Sequence, residues 1–149
     1  MSDGPDLDQL HDQVNELLLR QDHRYTSGRR RLVEVMAVAD RPLTLPEILA
    51  RDSRLTQSSA YRNLDVLESS GAVRRITGTG DHAHHELAES MLGHHHHLIC
   101  VGCGLIEDVR LGVELEQAID AALASAADGA DFTPLHHALD LHGHCADCS

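Results

Sequence analysis

The chain of 149 residues contains no lysine and no tryptophan, one phenylalanine and two tyrosines. Without large aromatics, a core has to be assembled from Leu, Val, Ile and Ala. That is thin for two lobes, and dimerisation or bound metal would help to stabilise it. With no lysine, every fixed side-chain cation is an arginine. Long apolar runs are missing as well: none approaches the roughly 18–20 residues that cross a bilayer. The first residues, MSDGPDLDQL, are acidic and polar, unlike a signal peptide. A cytoplasmic protein with no membrane partner is therefore expected. The His-Glu-x-x-His pattern of zinc hydrolases is absent, with no nucleophile or general-base motif in its place, so an enzyme is not expected.

The net charge of −12 argues against nucleic acid only until its distribution is read. Of the twelve arginines, only Arg110 lies beyond Arg75. Residues 1–75 carry eleven Arg against twelve acids, whereas residues 76–149 carry one Arg against twelve acids. Between Arg20 and Arg62 there are nine Arg and five acids, a local excess of +4. Histidine shows the opposite bias, with eleven of thirteen between His82 and His144. The composition thus describes an Arg-bearing front half and an acidic, metal-rich rear half, changing near TGTGDHAH.

In the front half, Leu7, Leu10, Val14, Leu17 and Leu18 fall at helical spacing within Asp6–Gln21. Ser27 is placed to cap a second helix whose apolar face is Leu32, Val33, Val35, Met36 and Ala39. TLPE at 44–47 is a capping box with Pro in the first turn. SSAYRNLDVLESSG carries an Ala60–Leu64–Leu67 stripe and ends at Gly71, a helix C-terminal cap residue. AVRRITGTGDHAHHEL then reads as two short strands around a Gly-rich tip. Helix, short helix, helix and hairpin is the order of a winged helix-turn-helix. Gln57, Ser58, Ser59, Tyr61 and Arg62 stand near the N-terminal end of its reading helix. There a tyrosine ring can pack on a thymine methyl and Arg62 can reach a phosphate or a guanine. The plain alternative is a core tyrosine beside a solvated charge.

In the rear half, Cys100-x-x-Cys103 follows a strand-like LI and precedes GLIEDV, and Cys145-x-x-Cys148 closes the chain. Four thiolates from two such knuckles suit tetrahedral zinc. Redox pairs normally open a helix directly after a strand, and neither pair is followed by a helical pattern. Four histidines, His94 to His97, run into the first knuckle. On a strand, His94 and His96 face one way and His95 and His97 the other, so one run can feed two metal sites. Further ligands are on offer from three places. The wing end supplies His82, His84, His85 and Glu86, a helix beginning near Leu111 supplies Glu114 and Glu116, and the last segment supplies His136, His137, His142 and His144. Imidazole with carboxylate suits zinc, iron(II), manganese or nickel. His11, His23 and His142 are read as ordinary solvated histidines.

SSAYRNLDVLESSGAV, HHHHLICVGCG and HHALDLHGHCADC, in this order, resemble the ferric uptake regulator (Fur) family of bacterial metal-sensing repressors, including its zinc-uptake-regulator-like members. The resemblance covers roughly residues 24–148. It implies an α+β chain: an N-terminal winged helix-turn-helix domain on double-stranded operator DNA, then a small α/β dimerisation domain with a four-cysteine zinc site. The expected divisions are a leading helix at 1–23, the winged-helix domain at 24–88 and the dimerisation domain at 89–149. Cys100, Cys103, Cys145 and Cys148 match the structural zinc site. His95, His97 and Glu86 match the regulatory hinge site, for zinc or iron(II) ahead of manganese or nickel. His94, His96 and His137 match a second site, completed by Glu114, or by Glu116 if the loop differs by two residues. Tyr61, Arg62 and Arg24 match DNA contacts. Arg41, Pro42 and Leu43 stand where many iron-type members place a histidine, and the wing-to-hinge cysteine of zinc-type members is absent. His84 is the candidate to fill that gap. The implied function is a homodimeric, metal-dependent repressor of metal-homeostasis genes; a peroxide sensor of the same family and a metal-buffering protein are the alternatives.

Overall fold

The computed structural model describes residues 5–149. It is an α+β fold of two units. The first contains α1 (Leu7–Leu19), α2 (Ser27–Ala37), β1 (Leu43–Thr44), α3 (Leu45–Arg51), α4 (Gln57–Ser69), β2 (Val73–Ile76) and β3 (His84–Leu87). A single-turn α5 (Glu89–Leu92) leads to β4 (His96–Cys100), β5 (Ile106–Val109), α6 (Val113–Asp128) and β6 (Asp140–Gly143).

Local chemistry sets the helix ends. Thr44 and Glu47 form the expected capping box, and Glu47 also binds Arg41 Nη2 at 2.8 Å. The α2 cap differs from the expectation by one position. Thr26 is extended and its hydroxyl accepts from Arg29 N at 3.4 Å, while Ser27 is already helical. Two adjacent capping residues competed, and the earlier oxygen is the one that reaches the third helical amide. Gly71, at φ +83°, ends α4 in a Schellman turn, with Ala72 N donating to Leu67 O and Gly71 N to Glu68 O, both at 3.0 Å.

Leu10, Val14 and Leu18 of α1 join Leu32, Val33, Leu43, Ile48, Leu64, Leu67 and Leu87 in one fully buried aliphatic core. The α4 stripe Ala60–Leu64–Leu67 faces it as the spacing predicts. His11, expected to be solvated, is buried beneath this helix pair instead. Its Nδ1 lies 2.6 Å from the Tyr25 hydroxyl and its Nε2 3.0 Å from Glu34. A buried imidazole is tolerated here because both nitrogens have partners.

Sheet A runs β1-β3-β2, all antiparallel, so the wing hairpin gains a short third strand that the sequence pattern did not announce. Sheet B runs β5-β4-β6, with β6 parallel to β4 at the edge. The two sheets meet through Ile76, Ile99 and Ile106, and Thr79 Oγ1 donates to Cys100 O at 3.3 Å. Gly104, at φ +78°, lies against Gly80, where an added Cβ would meet backbone at 3.2 Å. α6 is largely uncovered: Val113, Leu115 and Leu123 are exposed, as are Phe132, Leu135 and Leu141 nearby.

Candidate metal centres

The four cysteines converge. Their Sγ atoms lie within 4.8 Å of one another, no disulfide is formed, and Cys103 Sγ is 3.8 Å from Cys145 Sγ. Zinc–sulfur bonds of about 2.3 Å put tetrahedral sulfurs about 3.8 Å apart, so the quartet fits that ion. Backbone N–H groups of Cys145 and Cys103 aim at the Cys100 sulfur and lower its pKa to about 6, favouring the thiolate a metal needs. Hydrogen bonds with the neighbouring thiols of Cys145, Cys100 and Cys103 push Cys148 the other way, to about 12.

The histidine run divides into two faces as expected, although only His96 and His97 lie in β4 and His94 and His95 precede it. His95 and His97 turn to one side, where their Nε2 atoms meet Glu86 of β3 at 3.0 and 3.1 Å. Asp108 of β5 completes this cluster, its Oδ1 3.7 Å from both Nε2 atoms and without a hydrogen-bond partner. All four side chains are buried or half-buried. Burial opposes ionisation of Glu86, yet hydrogen bonds from His95, His97 and Arg74 hold its carboxyl far below the usual range. The outer nitrogens are tied: His95 Nδ1 to Gly93 O at 2.9 Å and His97 Nδ1 to Asp140 at 3.3 Å. Such ties fix each ring with Nε2 pointing inward, as a metal-ligating imidazole requires.

His94 and His96 turn the other way. His96 Nε2 lies 2.7 Å from Glu116 Oε1; His94 Nε2 and His137 Nε2 are each 3.3 Å from Glu116 Oε2 and 3.2 Å from each other. Glu89 and Asp120 hold the far nitrogens of His94 and His137. Two facing Nε2 atoms cannot both donate to each other, and buried Glu116 Oε2 has no hydrogen-bond partner. A cation shared by the four groups resolves both deficits.

Two ligands expected from the sequence fall outside these clusters. Glu114 is exposed on the first turn of α6, and Glu116 takes its place. The helix starts at Val113 rather than near Leu111, and two residues of helix turn a side chain to a different face. His84 is buried but sits opposite Thr44 and Ile76, at the end of β3 toward Glu47. One strand repeat, about 6.7 Å, separates it from Glu86. Burial lowers its pKa. Asp108 stands in the position expected of His84. The signal for Asp108 is present in IEDV, where antiparallel pairing sets it opposite His97, but only the sheet register reveals it. Glu89, Asp120 and Asp140 are equally invisible in the sequence because their roles need tertiary contact.

On the first unit, Ser58, Tyr61 and Arg62 are exposed along one face of α4 with Gln57, and Arg24 is exposed before α2. Ser59 is half-buried and accepts from Asn63 Nδ2 at 3.3 Å. Asn63 in turn takes Arg29 Nε at 3.1 Å, so Ser59 belongs to a network bracing the helix.

A winged-helix unit joined to a cysteine- and histidine-lined α/β unit is the architecture of a metal-responsive transcription regulator. The chain belongs to the ferric uptake regulator family, whose model matches residues 20–142. The ferric uptake regulation protein of Legionella pneumophila is 33% identical over 91 residues, 61% of this chain and 62% of that protein. That of Synechococcus elongatus is 34% identical over 101 residues, 68% of this chain and 65% of its own length. The chain thus spans less than two thirds of these two relatives. The zinc uptake regulation protein of Mycobacterium tuberculosis is 30% identical over 103 residues, 68% of this chain and 73% of that protein. The fold is similar to the Helicobacter pylori ferric uptake regulator, described as having three functional metal binding sites, at TM-score 0.75 and 20% identity, covering 99% and 97% of the two chains. It is also similar to a zinc uptake regulator complexed with zinc and DNA, at TM-score 0.54 and 18% identity, covering 95% and 93%. The family is one of regulators, not enzymes. No helix of the described residues is long and apolar enough to cross a membrane.

Proposed function

We propose that the protein is a homodimeric, metal-dependent repressor that binds operator DNA when zinc or iron(II) fills the Glu86–His95–His97–Asp108 centre. The observation that carries this reading is the origin of the ligands: Glu86 comes from the wing strand, the others from the rear unit. A cation held by all four ties two units that otherwise meet through three isoleucines, the Thr79–Cys100 hydrogen bond and the Gly80–Gly104 approach. It favours one relative orientation by its differential affinity for the two arrangements. Cys100, Cys103, Cys145 and Cys148 would hold structural zinc. His94, His96, Glu116 and His137 would hold a second ion, giving three per chain. Residues 24–88 would serve as the DNA-binding domain and 89–149 as the dimerisation domain, with α1 bracing the former.

Dimerisation is supported by the exposed Leu115, Leu123, Phe132, Leu135 and Leu141 of the rear unit, apolar side chains that a second copy could cover. DNA binding is supported by the exposed Tyr61–Arg62 face and the arginine excess of the front half, which supplies phosphate attraction against an acidic rear half. In a dimer, a fixed orientation sets the reading helices about one helical turn apart. The test is operator binding measured with and without zinc or iron(II), for the parent and a His95→Ala/His97→Ala variant. The parent should bind only with metal and the variant should lose that response. A metal response retained by the variant would refute the assignment.

A further inference from the structure

Within the sensing centre proposed above, one feature is unlike a plain ligand set. Glu86 Oε1, which faces His97, also accepts from both Nε and Nη2 of Arg74. This contact is built into the sheet, because Arg74 and Glu86 are register partners across β2 and β3. Its neighbour Arg75 points to the opposite face, toward Glu68 of α4. A permanent cation therefore touches a carboxylate that is 3% exposed, inside a cluster whose other acid, Asp108, is half-buried.

We propose that Arg74 is a resident counter-ion that sets the metal threshold of this centre, a positioning residue acting through Glu86; this rests on the sensing role of the cluster. The charges balance differently in the two states. Counting the two carboxylates and the guanidinium alone, Glu86, Asp108 and Arg74 sum to −1 without metal and to +1 with a divalent ion, the imidazoles contributing equally with or without Arg74. Without Arg74 the same states would be −2 and 0. Arg74 thus stabilises the metal-free centre, where an unpaired buried carboxylate would be costly, and opposes the loaded one. The guanidinium side chain is 36% exposed, so water screens much of the repulsion. What remains should weaken divalent binding about tenfold. The consequence is a site that fills only above a set free-metal level and empties without leaving Glu86 stranded.

The test uses full-length protein carrying zinc at the four cysteines, in a Glu116→Gln background that removes a ligand from the neighbouring centre. Zinc is titrated against a competing chelator for the parent, Arg74→Gln and Arg74→Lys. Arg74→Gln should bind zinc about tenfold more tightly and Arg74→Lys should stay near the parent, since the effect is one of charge and lysine keeps it. Equal or weaker binding by Arg74→Gln would overturn the proposal, as would an equal tightening by Arg74→Lys. Failure of the parent to take up zinc beyond the four-cysteine equivalent would overturn the sensing centre and the role of Arg74 together.

Discussion

The two units solve the stability problem by different means. The first buries sixteen side chains in a continuous core drawn from α1 to β3. The second shares a cluster of three isoleucines with the wing and otherwise gathers thiolates, imidazoles and carboxylates. Hydrophobic burial is non-directional and survives loss of any single partner in part. A metal centre is directional and fails as a unit. The first unit should therefore be a stable platform, while the second should depend on its ligands and on what covers its exposed apolar face.

Removing the cysteine centre puts the greatest strain on this contrast. Cys100→Ser with Cys145→Ser should abolish one zinc equivalent and unfold sheet B while α1–α4 stays protected, as read by metal content and hydrogen exchange. Structural zinc contributes about 10–16 kcal/mol in small peptides, far beyond what three isoleucines replace. Leu67→Ala should instead cost the first unit about 2–5 kcal/mol in denaturant unfolding and leave metal content unchanged. On the proposed DNA face, Arg62→Ala should weaken operator binding by about 1–3 kcal/mol without altering metal uptake. Smaller still, Thr44→Ala should cost about 1 kcal/mol by opening the α3 cap. Finally, Glu116→Gln should lose one metal equivalent that Glu114→Gln and His84→Gln both keep, a difference that metal counting alone resolves.

Much of this is legible in the sequence because it is local. Helix spacing, the Thr44–Glu47 box, Gly71 and the paired knuckles are written within a few residues of each other. The splitting of His94–His97 into two faces matches strand alternation, with His96 and His97 in β4 and His94 and His95 just before it. What is not legible depends on register. Asp108 joins His95 and His97 only once β5 pairs with β4, and His84 is excluded only once β3 is anchored between β1 and β2. Glu116, the alternative the sequence offered to Glu114, is singled out only once the start of α6 at Val113 is known. His11 departs from its expected solvated state because its partners, Tyr25 and Glu34, lie on another helix and its approach.

The central claim is that one cation joins β3 of the wing to β4 and β5 of the rear sheet. Hydrogen exchange tests it most directly, on protein holding zinc only at its cysteines and then given further zinc or iron(II). Amides of 84–87, 95–97 and 106–109 should gain protection together, and His95→Ala/His97→Ala should abolish the gain in all three. Protection confined to 95–97 and 106–109, with 84–87 unchanged, would contradict the account.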